Sequence, residues 1–289
     1  MTSDLGPVGV YGGGRMGAGI AHAFALTGRE VVVVETSAVA SSAAYGRIET
    51  TLRRAEERGA LSGSAGSVLE RVRTTSDPAD LSEAVLVIEA VPEDAELKMG
   101  VLASVERHAP RAWLASNTSS LSIDGLAAGL SRPERLVGLH FFNPVPVSEL
   151  VEVVVGSATA EELVELAQGW VADLGKTAIT VRDSPGFASS RLGVALALEA
   201  MRMLEDGVAS AADIDTAMTL GYKHPVGRFG PPTSSGWTCG WPSPSTWPAS
   251  SASGSRRRRS CATWWAQVTL AARPAGVSTG GPDYALRRA

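Results

Sequence analysis

One histidine and one glutamate, twelve residues apart, have the chemistry of a proton-transfer pair. His140 lies in the segment GLHFFNPVPVSELVEV and is followed by two phenylalanines, and Glu152 lies near the end of the same segment. A neutral imidazole oriented by a carboxylate accepts or returns a hydroxyl proton near neutral pH. Ser119, in ASNTSSLSI, could hydrogen-bond the same substrate oxygen. These three residue types therefore predict a catalyst that exchanges a proton with a hydroxyl group.

Each of these side chains also has an ordinary structural explanation. A histidine beside aromatic residues is more often packed and hydrogen-bonded than a base, and SNTSS, which contains Asn117, could cap a helix. Asn143 before Pro144 is typical of a turn. Taken singly, each residue favours its structural explanation, and only their joint occurrence after a nucleotide-binding pattern favours catalysis.

A glycine-rich loop near the N-terminus supplies that pattern. After the apolar run VGVYG, Gly12, Gly14 and Gly17 form G-x-G-x-x-G, with Arg15 and Met16 between the last two. The first glycine permits a tight turn, the second lets backbone approach a pyrophosphate, and the third lets helix and strand pack closely. The N-terminus of the following helix offers free N–H groups and a positive dipole to the phosphates. The loop therefore predicts a dinucleotide site.

Glu35 indicates which dinucleotide binds. It ends the apolar run VVVVE, roughly 20 residues beyond the loop. A carboxylate there can bind both ribose hydroxyls of an adenosine and would repel a 2′-phosphate. The sequence thus predicts NAD as the cofactor rather than NADP. The alternative is that Glu35 merely ends a strand in solvent.

The elements that must position these residues alternate along the first 182 residues. Short apolar runs predict strands at VGVYG, VVVVE, VLVIEA, AWLAS, RLVGLHFF and ELVEVVVG, and amphipathic stretches predict helices at RMGAGIAHAFALTG and AELKMGVLASVERHA. This alternation is typical of the α/β class, with a mostly parallel sheet covered by helices. Because such sheets bind ligands at the carboxyl ends of their strands, we expect 115–123, 138–153 and 176–187 to contribute to one site.

A second, smaller helical domain is predicted to begin near residue 184. Residues 188–207 place apolar side chains at three- and four-residue spacing, and another helical stretch with Ser210 as its N-cap follows. We therefore assign residues 1–184 to a Rossmann-type NAD-binding domain and residues 185–289 to an all-α domain.

Composition excludes several classes of protein. The chain has 289 residues, 44% of them hydrophobic, but it has neither an apolar run of membrane-spanning length nor the layout of a signal peptide. We therefore expect a soluble, cytoplasmic protein with no membrane partner. Its two cysteines, Cys239 and Cys261, give neither a disulfide framework nor a metal-ligand spacing, so no metal site is expected.

Several motifs resemble those of the 3-hydroxyacyl-CoA dehydrogenase family, in particular the bacterial 3-hydroxybutyryl-CoA dehydrogenases. They are GGGRMGAGIA, VIEAVPEDAELK, LASNTSSLSI, GLHFFNPVPVSELVEVV, DSPGF and DIDTAMTLGYKHPVG, and the resemblance covers residues 7–227. It implies NAD-dependent oxidation of an L-3-hydroxyacyl-CoA to the 3-ketoacyl-CoA. It also implies a Rossmann domain followed by a helical domain that forms a homodimer.

The same resemblance implies roles for individual residues. By motif position, His140 is the general base, Glu152 is its carboxylate partner, and Ser119 contacts the substrate oxygen. The residues assigned to the cofactor beyond the glycine-rich loop and Glu35 are Glu93, Lys98, Asn117 and Asn143.

One position departs from the family pattern. After PGF the family usually has an asparagine followed by an arginine, whereas this chain has Ser190 before Arg191. Serine is shorter and offers one hydroxyl in place of an amide group. We therefore expect Ser190 to fill this catalytic position poorly and turnover to be reduced.

Residues 228–289 differ sharply from the rest of the chain. They hold eight arginines, no lysine and a single acid, a net charge of +7 against −11 for the first 227 residues, and five of the seven tryptophans. When residues 228–289 are translated back into codons and the reading frame is moved one nucleotide earlier, they can encode segments similar to the family's C-terminus. We infer a one-nucleotide loss near Gly227 and Arg228. The segment is then expected to be largely irregular, without the apolar faces that would complete the dimer interface.

Three other functions stay open at this stage. The chain could be a catalytically impaired NAD-binding protein, or a related dehydrogenase that acts on a free hydroxy acid. The arginine run 256–259, with tryptophans nearby, could bind nucleic acid. A frame shift explains both the composition and the position of that run, so no nucleic-acid partner is expected. The acyl-chain length is not fixed by the sequence.

Overall fold

The computed structural model describes residues 6–224, so the predictions for residues 228–289 lie outside the described part. Eight strands occur in the described range: β1 Val8–Tyr11, β2 Val31–Val34, β3 Val72–Thr75, β4 Leu86–Glu89, β5 Trp113–Ser116, β6 Leu136–Phe141, β7 Leu150–Val155 and β8 Thr177–Arg182. The α-helices there are α1 Arg15–Leu26, α2 Ala38–Glu57, α3 Ala65–Leu69, α4 Ala95–His108, α5 Ile123–Ala127, α6 Glu161–Asp173, α7 Ser189–Glu205 and α8 Ala211–Thr216.

The strands form one sheet in the order β3-β2-β1-β4-β5-β6-β7-β8. Neighbouring strands are parallel except for β6 and β7, which pair in antiparallel register. The predicted mostly parallel α/β fold is confirmed. Because the chain runs from β1 outward to β3 and then returns to β4, its order reverses between β1 and β4. Ligands of open α/β sheets bind at such a switch point, and the glycine-rich loop follows β1 there.

The two edge strands, β3 and β8, were not predicted. In β3 only Val72 is buried, and every residue of β8 is exposed or half-buried. Neither strand sequence is therefore a continuous apolar run. The interior strands β2, β4 and β6 are buried at every position, which is why their sequences gave a clear signal.

The helices predicted at residues 15–28 and 95–109 are confirmed as α1 and α4. Gly28, just beyond α1, has a φ of 87°, the left-handed conformation of a residue that ends a helix. Ser210 accepts a hydrogen bond from the Asp213 N–H at the start of α8, as predicted for an N-cap. The domain boundary near residue 184 stays a prediction.

Apolar side chains pack on both faces of the sheet. On one face, α1, α2, α3 and α6 cover the strands, with Phe24, Ile48 and Trp170 among the buried residues. On the other face, α4 and α5 contribute Leu102 and Leu126. The sheet is thus enclosed between two helical layers, and its carboxyl edge is where polar residues collect.

A buried histidine between α1 and α2 gives a first prediction. His22 is 1% exposed, and its Nδ1 lies 2.9 Å from the Thr51 hydroxyl, which itself donates to the Ile48 carbonyl. Burial, with a smaller contribution from the Lys176 charge, lowers the pKa of His22 to about 4. The unfolded chain therefore binds a proton that the folded chain excludes between about pH 6.5 and pH 4. Stability contributed by neutral His22 is present above this window and is lost as the pH falls through it.

A His22→Gln variant should accordingly be less sensitive to acid. Between pH 7 and pH 4.5 we expect it to lose about 2 kcal/mol less unfolding free energy than the parent chain. Urea unfolding at the two pH values measures this difference. Equal losses in both proteins would show that His22 is not neutral in the folded state.

Candidate active site

The loop after β1 and the first turn of α1 each require a glycine. Gly12 has a φ of 99°, and a Cβ there would lie 2.9 Å from the Ala90 carbonyl oxygen. A Cβ on Gly17 would lie 1.8 Å from the Gly12 carbonyl oxygen. Real Cβ atoms do not approach that closely, so the first turn of α1 can rest on the loop only because residue 17 is glycine.

The middle of the loop is open on one side and closed on the other. Among residues 6–224, a Cβ on Gly14 would meet no other atom within 4 Å, and no side chain caps the N-terminus of α1. A Cβ on Gly13 would lie 2.3 Å from the Ala44 Cβ, a constraint that the sequence pattern did not reveal. Arg15 is exposed and Met16 is half-buried. The uncapped helix end beside open space fits a dinucleotide pyrophosphate.

Glu35 lies against this loop instead of ending its strand in solvent. Its Oε1 accepts the Gly13 N–H at 2.7 Å, and its Oε2 accepts the Thr36 N–H at 3.2 Å. The side chain is half-buried. A fixed carboxylate beside the phosphate loop fits the ribose of an adenosine, and its charge disfavours a 2′-phosphate.

His140 and Glu152 are directly opposite each other on the antiparallel strands β6 and β7. Their side chains meet, with 2.6 Å between His140 Nδ1 and Glu152 Oε2. Glu152 is fully buried and His140 is 6% exposed. Phe142 and Phe187 pack beside the imidazole, with ring centroids at 4.5 and 5.8 Å. The structure thus brings the predicted pair together in a shielded position near the carboxyl end of β6.

Further donors keep the Glu152 carboxylate ionised. Its Oε1 accepts the N–H groups of Ala188 and Ser189 at 3.1 and 2.9 Å, and its Oε2 accepts the Ser189 hydroxyl at 2.8 Å. Burial by itself would raise the pKa of Glu152, but the hydrogen bonds from His140 and Ser189 outweigh it and lower the pKa. Because an ionised carboxylate only accepts, Nδ1 of His140 carries a proton and Nε2 is left for proton exchange.

Ser189 was not among the site residues predicted from the sequence, whereas its neighbour Ser190 was. The one signal was a serine two residues after Phe187 of the turn PGF, near the start of the predicted helical stretch. Within residues 6–224, the hydroxyl of Ser190 forms no hydrogen bond, and the residue is half-buried. The structure therefore joins Ser189, and not Ser190, to the histidine and glutamate.

Ser119 is held by Glu93. One carboxylate oxygen of Glu93 accepts the N–H of Ser119 at 2.8 Å and its hydroxyl at 3.2 Å, together with the hydroxyl of Thr118 at 2.6 Å and that of Ser120 at 3.0 Å. Burial would raise the pKa of Glu93, but these hydrogen bonds and the charge of Lys98 lower it. Ser119 itself is exposed, and its hydroxyl has no hydrogen bond to His140 in the described part of the chain.

Lys98 is enclosed by protein groups. Its ammonium lies 2.7 Å from Glu89 Oε1, 3.1 Å from the Val91 carbonyl and 3.3 Å from Glu93 Oε2, and its side chain is 1% exposed. The other oxygen of Glu89 accepts the Ser116 hydroxyl at 2.6 Å. Glu89 was not among the predicted site residues, although a carboxylate at the end of the apolar run VLVIEA was a signal for it.

The two asparagines predicted to bind the cofactor lie in different connections of the sheet. Asn117 follows β5, and its side-chain oxygen accepts the Phe141 N–H at 3.0 Å, which ties the end of β5 to the end of β6. Asn143 precedes Pro144 in a cis peptide bond and is half-buried in the connection between β6 and β7. The predicted residues thus form two groups, one around the glycine-rich loop and one around the ends of β4 to β7.

Comparison with known proteins identifies the fold and the family. Residues 7–184 match the family described as 3-hydroxyacyl-CoA dehydrogenase, NAD binding domain, and residues 186–276 match its C-terminal domain. The chain belongs to the 3-hydroxyacyl-CoA dehydrogenase family. The predicted family is thereby confirmed, and so is NAD as the cofactor.

Individual relatives agree with this assignment. The chain is 41% identical over 238 residues to a 3-hydroxybutyryl-CoA dehydrogenase of Mycobacterium tuberculosis, covering 78% of this chain and 81% of the relative. It is 40% identical over 228 residues to the mitochondrial hydroxyacyl-coenzyme A dehydrogenase of Sus scrofa, covering 76% and 73%. The solved (S)-3-hydroxybutyryl-CoA dehydrogenase of Ralstonia eutropha is 38% identical, with a TM-score of 0.75 over 77% of this chain and 80% of its own.

The match to the C-terminal family domain extends to residue 276. It thus includes part of the segment that the frame-shift hypothesis treats as aberrant, whereas the relatives above align with 76–78% of the chain. Within residues 6–224, no helix is both long and apolar enough to cross a membrane.

Proposed function

We propose that this chain is an NAD-dependent 3-hydroxyacyl-CoA dehydrogenase that acts on 3-hydroxybutyryl-CoA, oxidising the L-3-hydroxyl to a ketone. The observation that carries the proposal is the buried His140–Glu152 pair, with 2.6 Å between Nδ1 and Oε2, at the carboxyl edge of a dinucleotide-binding sheet. Because ligands of such sheets bind at the carboxyl edge, a base there can contact both a bound nicotinamide and a substrate.

NAD supplies the hydride acceptor when it is bound. The residues assigned to hold it are Gly12, Gly14, Arg15, Met16, Gly17, Glu35, Glu93, Lys98, Asn117 and Asn143. Gly14 and Glu35 have direct support, since the first faces open space at a helix N-terminus and the second lies against the same loop. Glu93 and Lys98 are assigned to the cofactor by the family pattern, and they form an ion pair with each other, with 3.3 Å between Nζ and Oε2.

Proton transfer is assigned to His140. In oxidation, Nε2 takes the proton of the 3-hydroxyl, and the imidazolium that forms lies beside the charge of Glu152. In reduction, Nε2 returns that proton to the developing alkoxide. Ser119 is assigned to hydrogen-bond the substrate oxygen, and Glu93 fixes the segment that carries it. The neighbouring phenylalanines limit the access of water to the imidazole.

The proposal is tested with the purified chain, acetoacetyl-CoA and NADH. We expect NADH absorbance to fall when acetoacetyl-CoA is added, and to fall much more slowly with NADPH, because Glu35 repels a 2′-phosphate. Free acetoacetate serves as the comparison substrate. A rate with the free acid that equals or exceeds the rate with the thioester would instead favour a dehydrogenase of free hydroxy acids. Longer 3-ketoacyl-CoAs in the same assay define the acyl-chain length.

A second candidate function is NAD binding with little turnover. It is favoured by Ser190, whose hydroxyl has no hydrogen bond to the rest of residues 6–224 at the position where the family usually has asparagine. NADH fluorescence that changes with protein concentration, without turnover of acetoacetyl-CoA, would identify this outcome.

Replacing Ser190 by asparagine should therefore raise activity. The longer amide side chain restores the group that the family uses and adds both a donor and an acceptor. We expect the rate of acetoacetyl-CoA reduction to increase about tenfold, as a single hydrogen bond to a reacting group contributes on the order of 1.4 kcal/mol. An unchanged or lower rate counts against the assignment of residue 190 to catalysis.

The remaining expectations belong to the same proposal. An acyl-CoA is the small-molecule partner, nucleic acid and membranes are not partners, and the protein is located in the cytoplasm. The family's homodimer depends on the segment after residue 227. Sequencing the gene around Gly227 and Arg228 tests the frame shift, because the neighbouring reading frame must then encode a family-like C-terminus.

A further inference from the structure

The carboxylate of Glu152 has all of its acceptor positions filled. A carboxylate offers about four lone-pair positions. Oε2 accepts from His140 Nδ1 and the Ser189 hydroxyl, and Oε1 accepts from the N–H groups of Ala188 and Ser189. Three of these four donors come from the two residues at the start of α7, so the strands alone do not hold Glu152 in place.

The turn before α7 orients these donors toward Glu152. Gly186 and Phe187 both have positive φ values, 76° and 49°, and the second is uncommon for an aromatic residue. Phe187 is nevertheless 4% exposed and packs against the imidazole of His140. Such a conformation persists only where the surrounding packing enforces it. It directs the first N–H groups of the helix, and the Ser189 side chain, at Glu152.

We propose that Ser189 is a positioning residue, which fixes the plane of the Glu152 carboxylate and through it the orientation of the His140 ring. Two of the four donors belong to Ser189, and only its hydroxyl shares Oε2 with His140 Nδ1. The proton acceptor is therefore assembled from β6, β7 and the first turn of α7, and proton transfer depends on the placement of that helix.

This inference rests on the proposed dehydrogenase function, and its test separates the two. In Ser189→Ala the Glu152 carboxylate retains three donors but can rotate. We expect kcat for acetoacetyl-CoA reduction to fall about tenfold, with the NADH dissociation constant unchanged, because the lost bond is to a charged group that orients the base. Ser189→Thr keeps a hydroxyl at the same position and should restore most of kcat.

Ser210→Ala is the matched control. Ser210 also lies at the start of a helix and donates its hydroxyl to a carboxylate, Asp213, at 2.6 Å, but it has no contact with Glu152 or His140. Its loss should leave kcat unchanged. If Ser189→Ala and Ser210→Ala behave alike, or if Ser189→Thr is as slow as Ser189→Ala, the positioning role is wrong.

A second readout does not require turnover. We expect the proton on His140 Nδ1 to give a downfield NMR resonance, because it is hydrogen-bonded to the Glu152 carboxylate. In Ser189→Ala it should change its chemical shift, since Oε2 loses the Ser189 hydroxyl and the carboxylate can rotate, and Ser210→Ala should leave it in place. If the parent chain does not reduce acetoacetyl-CoA, the proposed function fails while this shift still decides the role of Ser189. An unmoved resonance overturns that role.

Discussion

Replacing His140 by glutamine is expected to lower the rate of acetoacetyl-CoA reduction by a factor of about 10² to 10⁴, the usual contribution of a positioned acid or base. Glutamine can still accept or donate a hydrogen bond beside Glu152, but it cannot carry a proton to the substrate oxygen. Because the imidazole is shielded by Phe142 and Phe187, water cannot readily replace it. Single-turnover mixing of enzyme, NADH and acetoacetyl-CoA measures the step directly.

NADH binding provides the internal control for this variant. His140 lies on β6, and the glycine-rich loop follows β1, so the dissociation constant of NADH should stay within about twofold of the parent value. His108→Gln is the matched substitution, since His108 is at the end of α4 and bonds only to Ser104 within the described chain. A His140→Gln protein with more than about a tenth of parental activity would remove His140 from proton transfer.

Gly17→Ala is expected to abolish measurable NADH binding at micromolar concentrations. The added Cβ would lie 1.8 Å from the Gly12 carbonyl oxygen, which belongs to backbone and cannot rotate away. The loop or the helix must therefore shift, and the amide groups that face the pyrophosphate shift with it. Losing two hydrogen bonds to a charged group reduces affinity by about 100-fold or more. Overpacking of this kind also lowers the unfolding free energy by about 1–3 kcal/mol.

Two further alanine substitutions separate folding from binding. Gly46, in the middle of α2, has open space around its missing Cβ, so Gly46→Ala should leave NADH binding intact and stabilise the helix by up to about 1 kcal/mol. Gly14 also has open space, but at the helix end where the pyrophosphate is expected. Gly14→Ala should keep parental stability while weakening NADH binding. Normal NADH affinity in Gly17→Ala would place the nucleotide elsewhere.

The interior of the fold was predictable because burial on both faces leaves a continuous apolar run. Val31 to Val34 form such a run and are all buried, so β2 was identified from composition alone. The edge strand β3 places Arg73 in solvent and half-exposes its threonines, and its sequence therefore has no strand signal beyond Val72. The antiparallel pairing of β6 with β7 was not predicted, although the connection from 142 to 149 is too short for the crossover that a parallel pair requires.

The site was predictable where a residue's role follows from its own chemistry. His140, Glu152 and the glycines were found because few other residue types can do what they do. Ser189 and Glu89 were missed because their roles arise from contacts across 37 and 27 residues of chain, which no local pattern encodes. Gly13 is a similar case, since the Ala44 and Val33 side chains, both distant in sequence, leave no room for a Cβ there.

The antiparallel register of β6 and β7 makes the catalytic pair sensitive to small changes in chain length. Side chains alternate between the two faces of a strand, so a shift of one residue in the pairing would move Glu152 to the face opposite His140. An insertion in the connection between the strands preserves the pair only if the added residues remain in that connection. Because β7 is also hydrogen-bonded to β8 over six residue pairs, its position is fixed from the other side as well. Changes of length in the connection from 142 to 149 are therefore compatible with the catalytic pair only where they leave this register unchanged.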